Sequence, residues 1–184
     1  LHAVLSLPAA ARVEGAAFEA FRAWLARPAS DRALGEGVAL ATARAQAMRT
    51  LLASDHRTAI GVALSPVERA QLPEEIARQV EQWRDGRGML HVIGAVDETA
   101  SPGLDRFVTF DGDPAVLRAF VFGRREAQPT RENLRLHGVA LDGLIALTES
   151  PLRRLFRGEA SDLPIENARC PVSKKNAEQG LAFH

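Results

Sequence analysis

The spacing of apolar residues changes once along the chain, and this change constrains the possible fold more than any other feature of the sequence. Up to about residue 85, apolar residues recur at helical spacing, as in VEGAAFEAFRAWLAR from Val13 to Arg27, which Pro28 ends. From Gly86 onward they alternate with polar residues, as they do in half-buried strands. The pattern predicts an α+β protein with short helices first and strands after them.

Several further helices are predicted before the change of period. Residues 36–53 repeat the helical pattern, and either Ser54 or Asp55 can cap the short helix that follows. Ser65 and Glu68 have the spacing of a capping box, with Pro66 at the first helical position, where its missing N–H is tolerated. A last helix is predicted for residues 74–83.

Five strands are predicted after the change. An open sheet of this size would expose both of its edges, so we expect an antiparallel, OB-like barrel. Asp111-Gly112 and Asp142-Gly143 are predicted hairpin turns of type I′, because Asp-Gly accepts positive φ. The expected division is a helical lead-in (1–85), the barrel (86–156) and an irregular tail or linker (157–184). The predicted strands are Met89–Val96, Leu104–Phe110, Val116–Phe122, Leu134–Leu141 and Leu144–Thr148, and the expected barrel core includes Leu134, Leu136, Leu141, Ile145 and Leu147.

Composition excludes some classes of function. The 23 Lys and Arg residues balance 23 Asp and Glu residues, which disfavours a protein that tracks nucleic-acid phosphates. No apolar run reaches the roughly 18 residues that a membrane span needs. The abundance of Ala and Arg, with no Tyr, is typical of a GC-rich bacterial genome. Because the chain starts at Leu1, we expect a processed segment of a longer precursor, secreted or periplasmic.

No sequence motif of a common catalytic site or nucleotide-binding loop is present, which predicts a non-catalytic chain without a cofactor of its own. His91 and His137 lie on predicted strands that could be neighbours, so a two-histidine metal site is one interpretation and two half-exposed strand residues the other. The acidic residues are likewise interpreted either as a calcium or acid/base cluster or, more economically, as loop and turn chemistry. They are Asp97, Glu98, Asp105, Asp111 and Asp113.

A basic cluster and a pair of aromatic residues are the candidate binding residues. Arg124 and Arg125, followed by Arg131 and Arg135, carry guanidinium groups that suit carboxylates and phosphates. Glu126 and Glu132 are interleaved, so a solvated charged face is the alternative interpretation. Phe120 and Phe122 alternate onto one strand face, where exposed aromatics would serve an oligomer-binding barrel.

Cys170 is the only cysteine and lies in the predicted tail, beside Pro171. A single cysteine excludes a disulfide within the chain. An exposed thiol at this place can oxidise, pair with another chain or bind zinc as thiolate. The alternatives are an incidental cysteine or one that packs against the barrel.

The order of motifs between Leu72 and Leu155 resembles that of a known kind of region. LPEEI and VEQW are followed by GRGMLHV (86–92), an acidic loop, DRFVTFDGD (105–113), FVFGRR (120–125) and LHGVALDGLIAL (136–147). It resembles the N-terminal region that precedes catalytic or adhesive domains in large secreted bacterial proteins, including metallopeptidases similar to gametolysin.

This resemblance implies a non-catalytic, prodomain-like module that assists folding of a downstream domain or inhibits it. If that domain were a zinc peptidase, Cys170 would occupy the open coordination site of its zinc. The Arg-Cys-Gly context of the matrixin cysteine switch is missing here, because Pro171 follows the cysteine. The alternative function is a stand-alone OB-like module that binds a glycan, a peptide or single-stranded nucleic acid.

Overall fold

A computed structural model describes residues 9–95 and 103–150, and it confirms the α+β class, with helices first and a small closed barrel after them. Two one-turn 3-10 helices, Ala29–Asp31 and Gly123–Arg125, accompany the regular elements. The helices are α1 Ala9–Leu25, α2 Leu34–Ser54, α3 His56–Val62, α4 Pro66–Ala70 and α5 Glu74–Ala77. The strands are β1 Gln82–Ala95, β2 Gly103–Phe110, β3 Val116–Phe120, β4 Arg131–Leu141 and β5 Leu144–Leu147.

Side-chain caps begin two of the short helices as the sequence predicts. The Ser65 hydroxyl accepts the Glu68 N–H at 3.1 Å, and the Glu68 carboxylate accepts the Ser65 N–H at 2.7 Å, which is a complete capping box. Of the two candidate caps for α3, Asp55 is the one used, because its carboxylate accepts the Thr58 N–H at 3.0 Å. These caps satisfy N–H groups that a helix of one or two turns cannot satisfy internally.

The helix predicted for residues 74–83 is wrong in its second half. Helix α5 ends at Ala77, and β1 begins at Gln82, before the predicted boundary at residue 86. Gln82 pairs with Ala140 and Trp83 with Val139 on β4, so tertiary pairing replaces local helix formation in this segment. Apolar residues at 76, 80 and 83 have helical spacing, so the sequence pattern does not distinguish a continuous helix from a short helix followed by a strand.

The barrel is closed in the order β1-β2-β3-β5-β4. Four of its neighbouring pairs are antiparallel, but β3 and β5 are parallel, so the prediction of a wholly antiparallel barrel is wrong. The reason is geometric: strand direction can alternate all the way around a closed ring only when the number of strands is even. A closed barrel of five strands must therefore contain a parallel pair.

Strand β1 is long enough to pair with β4 along its first half and with β2 along its second half, and this closes the barrel. Its first half pairs with β4 from Gln82 onward, and its second half pairs with β2 as far as Ala95. The β4 register shifts between Gly88 and Leu90, at the point where the two pairings overlap. A Cβ atom at Gly88 would lie 2.1 Å from the Thr109 carbonyl oxygen, so only glycine fits this crossing.

The two predicted Asp-Gly turns have different conformations. Asp142 and Gly143 have φ of 48° and 79°, which confirms a type I′ hairpin between β4 and β5. In the other turn only Gly112 has positive φ, and the Asp113 N–H donates to the Phe110 carbonyl at 3.0 Å. Positive φ at the third position alone is typical of a type II turn, so type I′ is wrong for Asp111-Gly112.

Strand β4 is buried on both faces from Leu136 to Leu141, which explains its long apolar run. Leu136 and Ala140 point into the barrel, where they pack with Ile145 and Leu147. Leu141, on the other face, packs with α1, α2 and α3 in a core that also contains Val139 and Ala146. The prediction that Leu141 belongs to the barrel interior is therefore wrong, because side chains alternate between faces along a strand.

A buried ion pair joins the helices to the first strand. Arg44 on α2 and Glu81, just before β1, are both fully buried, and Arg44 Nη2 lies 2.5 Å from Glu81 Oε1. The same carboxylate accepts the Leu64 N–H at 2.9 Å, and Arg44 also donates to the Val62 carbonyl at 2.8 Å. The pair thus connects α2, the segment after α3 and the start of the barrel.

Replacing Leu136 by alanine should lower the free energy of unfolding by roughly 2–5 kcal/mol, because its buried side chain would leave a cavity in the barrel. Urea unfolding measures this difference. The matched control is Leu104→Ala, at a side chain that is 55% exposed, where we expect a change within about 0.5 kcal/mol. Equal losses at both positions would contradict the assigned interior.

Replacing Glu81 by alanine should destabilise the protein by roughly 3–5 kcal/mol, because it leaves the Arg44 guanidinium buried without its carboxylate. Glu81→Gln keeps an acceptor for the Leu64 N–H and should lose less. The control is Glu36→Ala, which breaks the exposed Arg27–Glu36 pair and should change stability by about 0–1 kcal/mol. Similar effects of Glu81→Ala and Glu36→Ala on urea unfolding would refute the structural role of the buried pair.

Candidate functional site

Four arginines line one cleft at an end of the barrel. The cleft has a volume of about 410 Å³ and lies between the 3-10 turn after β3, the loop into β4, the first residues of β4 and the residue that follows Thr148. One carboxylate, that of Glu149, is among its lining residues. The lining consists of Arg124, Arg125, Ala127, Gln128, Arg131, Leu134, Arg135 and Glu149. We call this feature the arginine cleft.

Arg125 forms the back of the arginine cleft and is 5% exposed. Its guanidinium donates to the Thr148 carbonyl, to Gln128 Oε1 at 3.2 Å and to the Arg135 carbonyl at 3.5 Å. All of these acceptors are neutral, and no carboxylate of the described residues lies within 4.0 Å of the group. Burial lowers the pKa of Arg125, but a guanidinium stays protonated in proteins, so a buried positive charge remains.

The other three arginines divide into one that is paired and two that are not. Arg135 binds Asp85 through two nitrogens, at 2.5 and 3.2 Å. Arg124 and Arg131 are exposed, and within residues 9–95 and 103–150 their side chains have no hydrogen bond or ion pair. Two guanidinium groups at the rim of the arginine cleft therefore have all their donors available to a ligand.

Glu149 holds the 3-10 turn that carries Arg124 and Arg125. Its Oε1 atom accepts the Arg124 N–H at 3.2 Å. Gly123 has φ of 60°, a backbone conformation that favours glycine, and the absence of a Cβ atom there leaves room for the Glu149 carboxylate. The carboxylate in the lining thus positions the backbone of the turn. No local pattern in the sequence points to this residue, because Glu149 is 24 residues away from Arg125 in the chain.

Phe120 and Phe122, the predicted aromatic platform, are both half-buried against helix α3. The Phe120 ring stacks on His56, with 5.3 Å between ring centroids, and the Arg57 guanidinium lies 5.1 Å from the centre of the Phe122 ring. Their faces are already in contact with side chains of the protein itself. This arrangement leaves little aromatic surface for stacking of a sugar or a base.

The structure does not bring the two strand histidines together. His137 lies on β4 opposite Asp85, six residues before His91 on β1, which separates the histidines by about 20 Å along the strands. His137 is buried and stacks on Trp83 at 4.6 Å, whereas His91 pairs with Phe107 on β2. Within the described residues, no group of three His, Cys, Asp or Glu side chains converges on a possible metal position.

The predicted acidic cluster is dispersed over separate structural roles. Asp105 pairs with Arg118 at 2.9 Å, and Asp113 pairs with Arg84 and accepts the Ala115 N–H at 2.9 Å. Asp111 belongs to the turn after β2. Asp97, Glu98 and Cys170 lie outside the described residues, so the predictions about them stay predictions.

A second cleft contains arginines that already have partners. It has a volume of about 340 Å³, and its lining includes Arg69, Arg78 and Arg84. Arg69 donates to the Ala77 carbonyl at 2.6 Å, Arg78 pairs with Glu74 at 3.2 Å, and Arg84 pairs with Asp113. The arginine cleft is therefore the better candidate for an anion site.

Comparisons with family models, with curated proteins and with solved structures find no match to this chain. The helices within the described ranges include none with the length and apolar character of a membrane span.

Stability should depend on pH through Asp55, which caps helix α3 and so holds that helix against Phe120 and Phe122. Hydrogen bonds from the Thr58 hydroxyl and N–H hold the pKa of Asp55 below its usual 3.8. A depressed folded-state pKa adds stability above the unfolded-state pKa, and this is lost as pH falls through the folded-state pKa. Asp55→Ala should cost about 0.5–2 kcal/mol at neutral pH.

Urea unfolding at neutral pH and at about pH 3 tests the effect of Asp55, because the difference between wild type and Asp55→Ala should shrink in acid. Asp55→Asn is the control, since asparagine caps helices comparably but does not titrate. A difference between wild type and Asp55→Ala that does not change with pH would contradict the role of the ionised cap.

Proposed function

We propose that this chain is a non-catalytic, prodomain-like module of a secreted or periplasmic bacterial protein, which assists folding of a downstream domain of the same precursor or inhibits it. One observation carries the proposal. Glu149 lines the arginine cleft, and the chain continues from Ser150 into residues 151–184. The polypeptide after the barrel therefore starts at the rim of a cleft with two unpaired guanidinium groups.

Because the downstream domain belongs to the same chain, even a weak contact is enough to keep it bound to the module. A partner joined by a short flexible linker has an effective concentration of about 1 mM near its site. A contact whose dissociation constant lies below that value but above the concentration of the separated module would be mostly occupied in the precursor and mostly empty once the chain is cut. This difference is what a module that acts only before processing requires.

The resemblance to regions that precede metallopeptidases adds a possible mechanism of inhibition. If the downstream domain is a zinc peptidase, the Cys170 thiolate would bind its zinc in place of the activated water. The arginine cleft would then hold the partner, and the segment that contains Cys170 would block its site.

The alternative function, a stand-alone OB-like binding module, has less support from the barrel. Such modules stack sugars or bases on exposed aromatic rings. Phe120 and Phe122 are packed against His56 and Arg57 on helix α3 and present little free ring surface.

The test uses the protein encoded by the complete reading frame that contains residues 1–184. Its downstream part is refolded with this module attached, with the module added as a separate chain, and without it. We expect a lower folded yield, or uninhibited activity, when the module is absent, and a weaker effect from the separate chain than from the attached one.

A variant pair ties the effect to the arginine cleft. Arg124→Gln with Arg131→Gln should weaken it, whereas Arg78→Gln, at an exposed arginine paired with Glu74, should not. A reading frame that stops at His184, or a downstream part that folds and acts identically without the module, would overturn the proposal.

A further inference from the structure

We propose that the arginine cleft binds a carboxylate of an acidic peptide segment, which Arg124 and Arg131 hold in front of the buried Arg125. This inference deepens the proposed function, because it names the chemistry of the group that docks. It is nevertheless tested on the 184-residue chain alone.

The first support is the charge of Arg125. A charge taken out of water is strongly unfavourable unless an opposite charge or a metal accompanies it, and buried arginines are accordingly found paired. Arg44 shows this rule in the same protein, because Glu81 neutralises it. Arg125 is buried to nearly the same degree, but its acceptors are two carbonyls and an amide oxygen. An anion in the adjoining cleft would supply the missing charge.

The second support is the preorganisation of the two rim arginines. The Glu149 carboxylate holds the turn that bears Arg124, and Arg131 is the first residue of β4, where it pairs with Leu90 of β1. The backbones of both residues are fixed while their guanidinium groups lack partners within the part of the chain that the structure describes. A fixed backbone lowers the entropy cost of binding, and the guanidinium fork matches the geometry of a carboxylate.

Charge distribution favours a peptide carboxylate over a nucleic acid. The protein has no net charge, and the exposed acids Glu126 and Glu132 flank the loop that forms the arginine cleft. A nucleic acid is held by a continuous basic track along several phosphates. Here Arg124, Arg125 and Arg131, none of which has a carboxylate partner among the described residues, converge on one cleft of about 410 Å³, which has room for one or two acidic side chains.

The experiment measures binding of a fluorescently labelled short polyglutamate peptide to the 184-residue chain by fluorescence anisotropy at low salt. We expect saturable binding, no binding of polyglutamine, and affinity about tenfold weaker for each of Arg124→Gln and Arg131→Gln, as for loss of one charge-assisted hydrogen bond. Arg57→Gln and Arg78→Gln, at arginines outside the cleft lining, should bind like wild type. Unchanged urea unfolding of the rim variants shows that they fold.

A second readout of peptide binding is the thermal stability of the protein. Polyglutamate should raise the thermal unfolding temperature of the wild type, because a ligand that binds only the folded state stabilises it. The shift should disappear in the double variant Arg124→Gln with Arg131→Gln. No saturable binding, or equal binding by the double variant, would overturn the proposal.

Competition with the labelled peptide distinguishes a peptide carboxylate from phosphate and from nucleic acid as the ligand. Inorganic phosphate that displaces the peptide only at much higher concentration supports the peptide site. Tighter binding of single-stranded oligothymidylate through the same two arginines would overturn the peptide assignment in favour of nucleic acid. Peptide binding without any effect of the module on a downstream domain would refute the proposed function but not this site.

Discussion

The buried Arg44–Glu81 pair is the interaction on which the arrangement of helices and barrel depends. It lies where α2, the segment after α3 and the first residues of β1 meet, and its carboxylate also receives the Leu64 N–H. Desolvation of two charges offsets much of their attraction, so the pair adds less to net stability than its short distance suggests. Any packing that separates the two residues would leave a charge buried without a partner, so the pair disfavours such alternative packings.

From this junction, β1 runs into the barrel and closes it by pairing with β4 and β2 in turn. A ring of five strands requires one parallel pair, and β3 with β5 is that pair. Strand β5 lies between β3 and β4 in the ring, so no tight hairpin can join β3 to β4 and the chain crosses between them by a longer loop. That loop, which contains the 3-10 turn and residues 126–130, forms one wall of the arginine cleft.

Arg125 has two roles that conflict energetically. Its hydrogen bonds to the carbonyls of Arg135 and Thr148 attach the crossing loop to β4 and to the residue after β5, and its bond to Gln128 lies within the loop. The same burial deprives its charge of water, and the described residues supply no carboxylate in return. Residues under such a conflict are common at binding sites, where a ligand completes the unfinished interaction.

The sequence by itself determined the order of elements, the helix caps and the hairpin at Asp142-Gly143, because these depend on periodicity and on the local chemistry of a few adjacent residues. It also identified the arginines between 124 and 135 as candidate ligand residues. Only the tertiary structure decided that residues 78–81 are not helical, that Leu141 faces the helices and that Phe120 and Phe122 are covered by α3. It likewise decided that Glu149 anchors the turn and that Arg125 is buried. Each of these outcomes depends on contacts between residues far apart in the chain, and the energies of such contacts exceed the small preferences that a local pattern records.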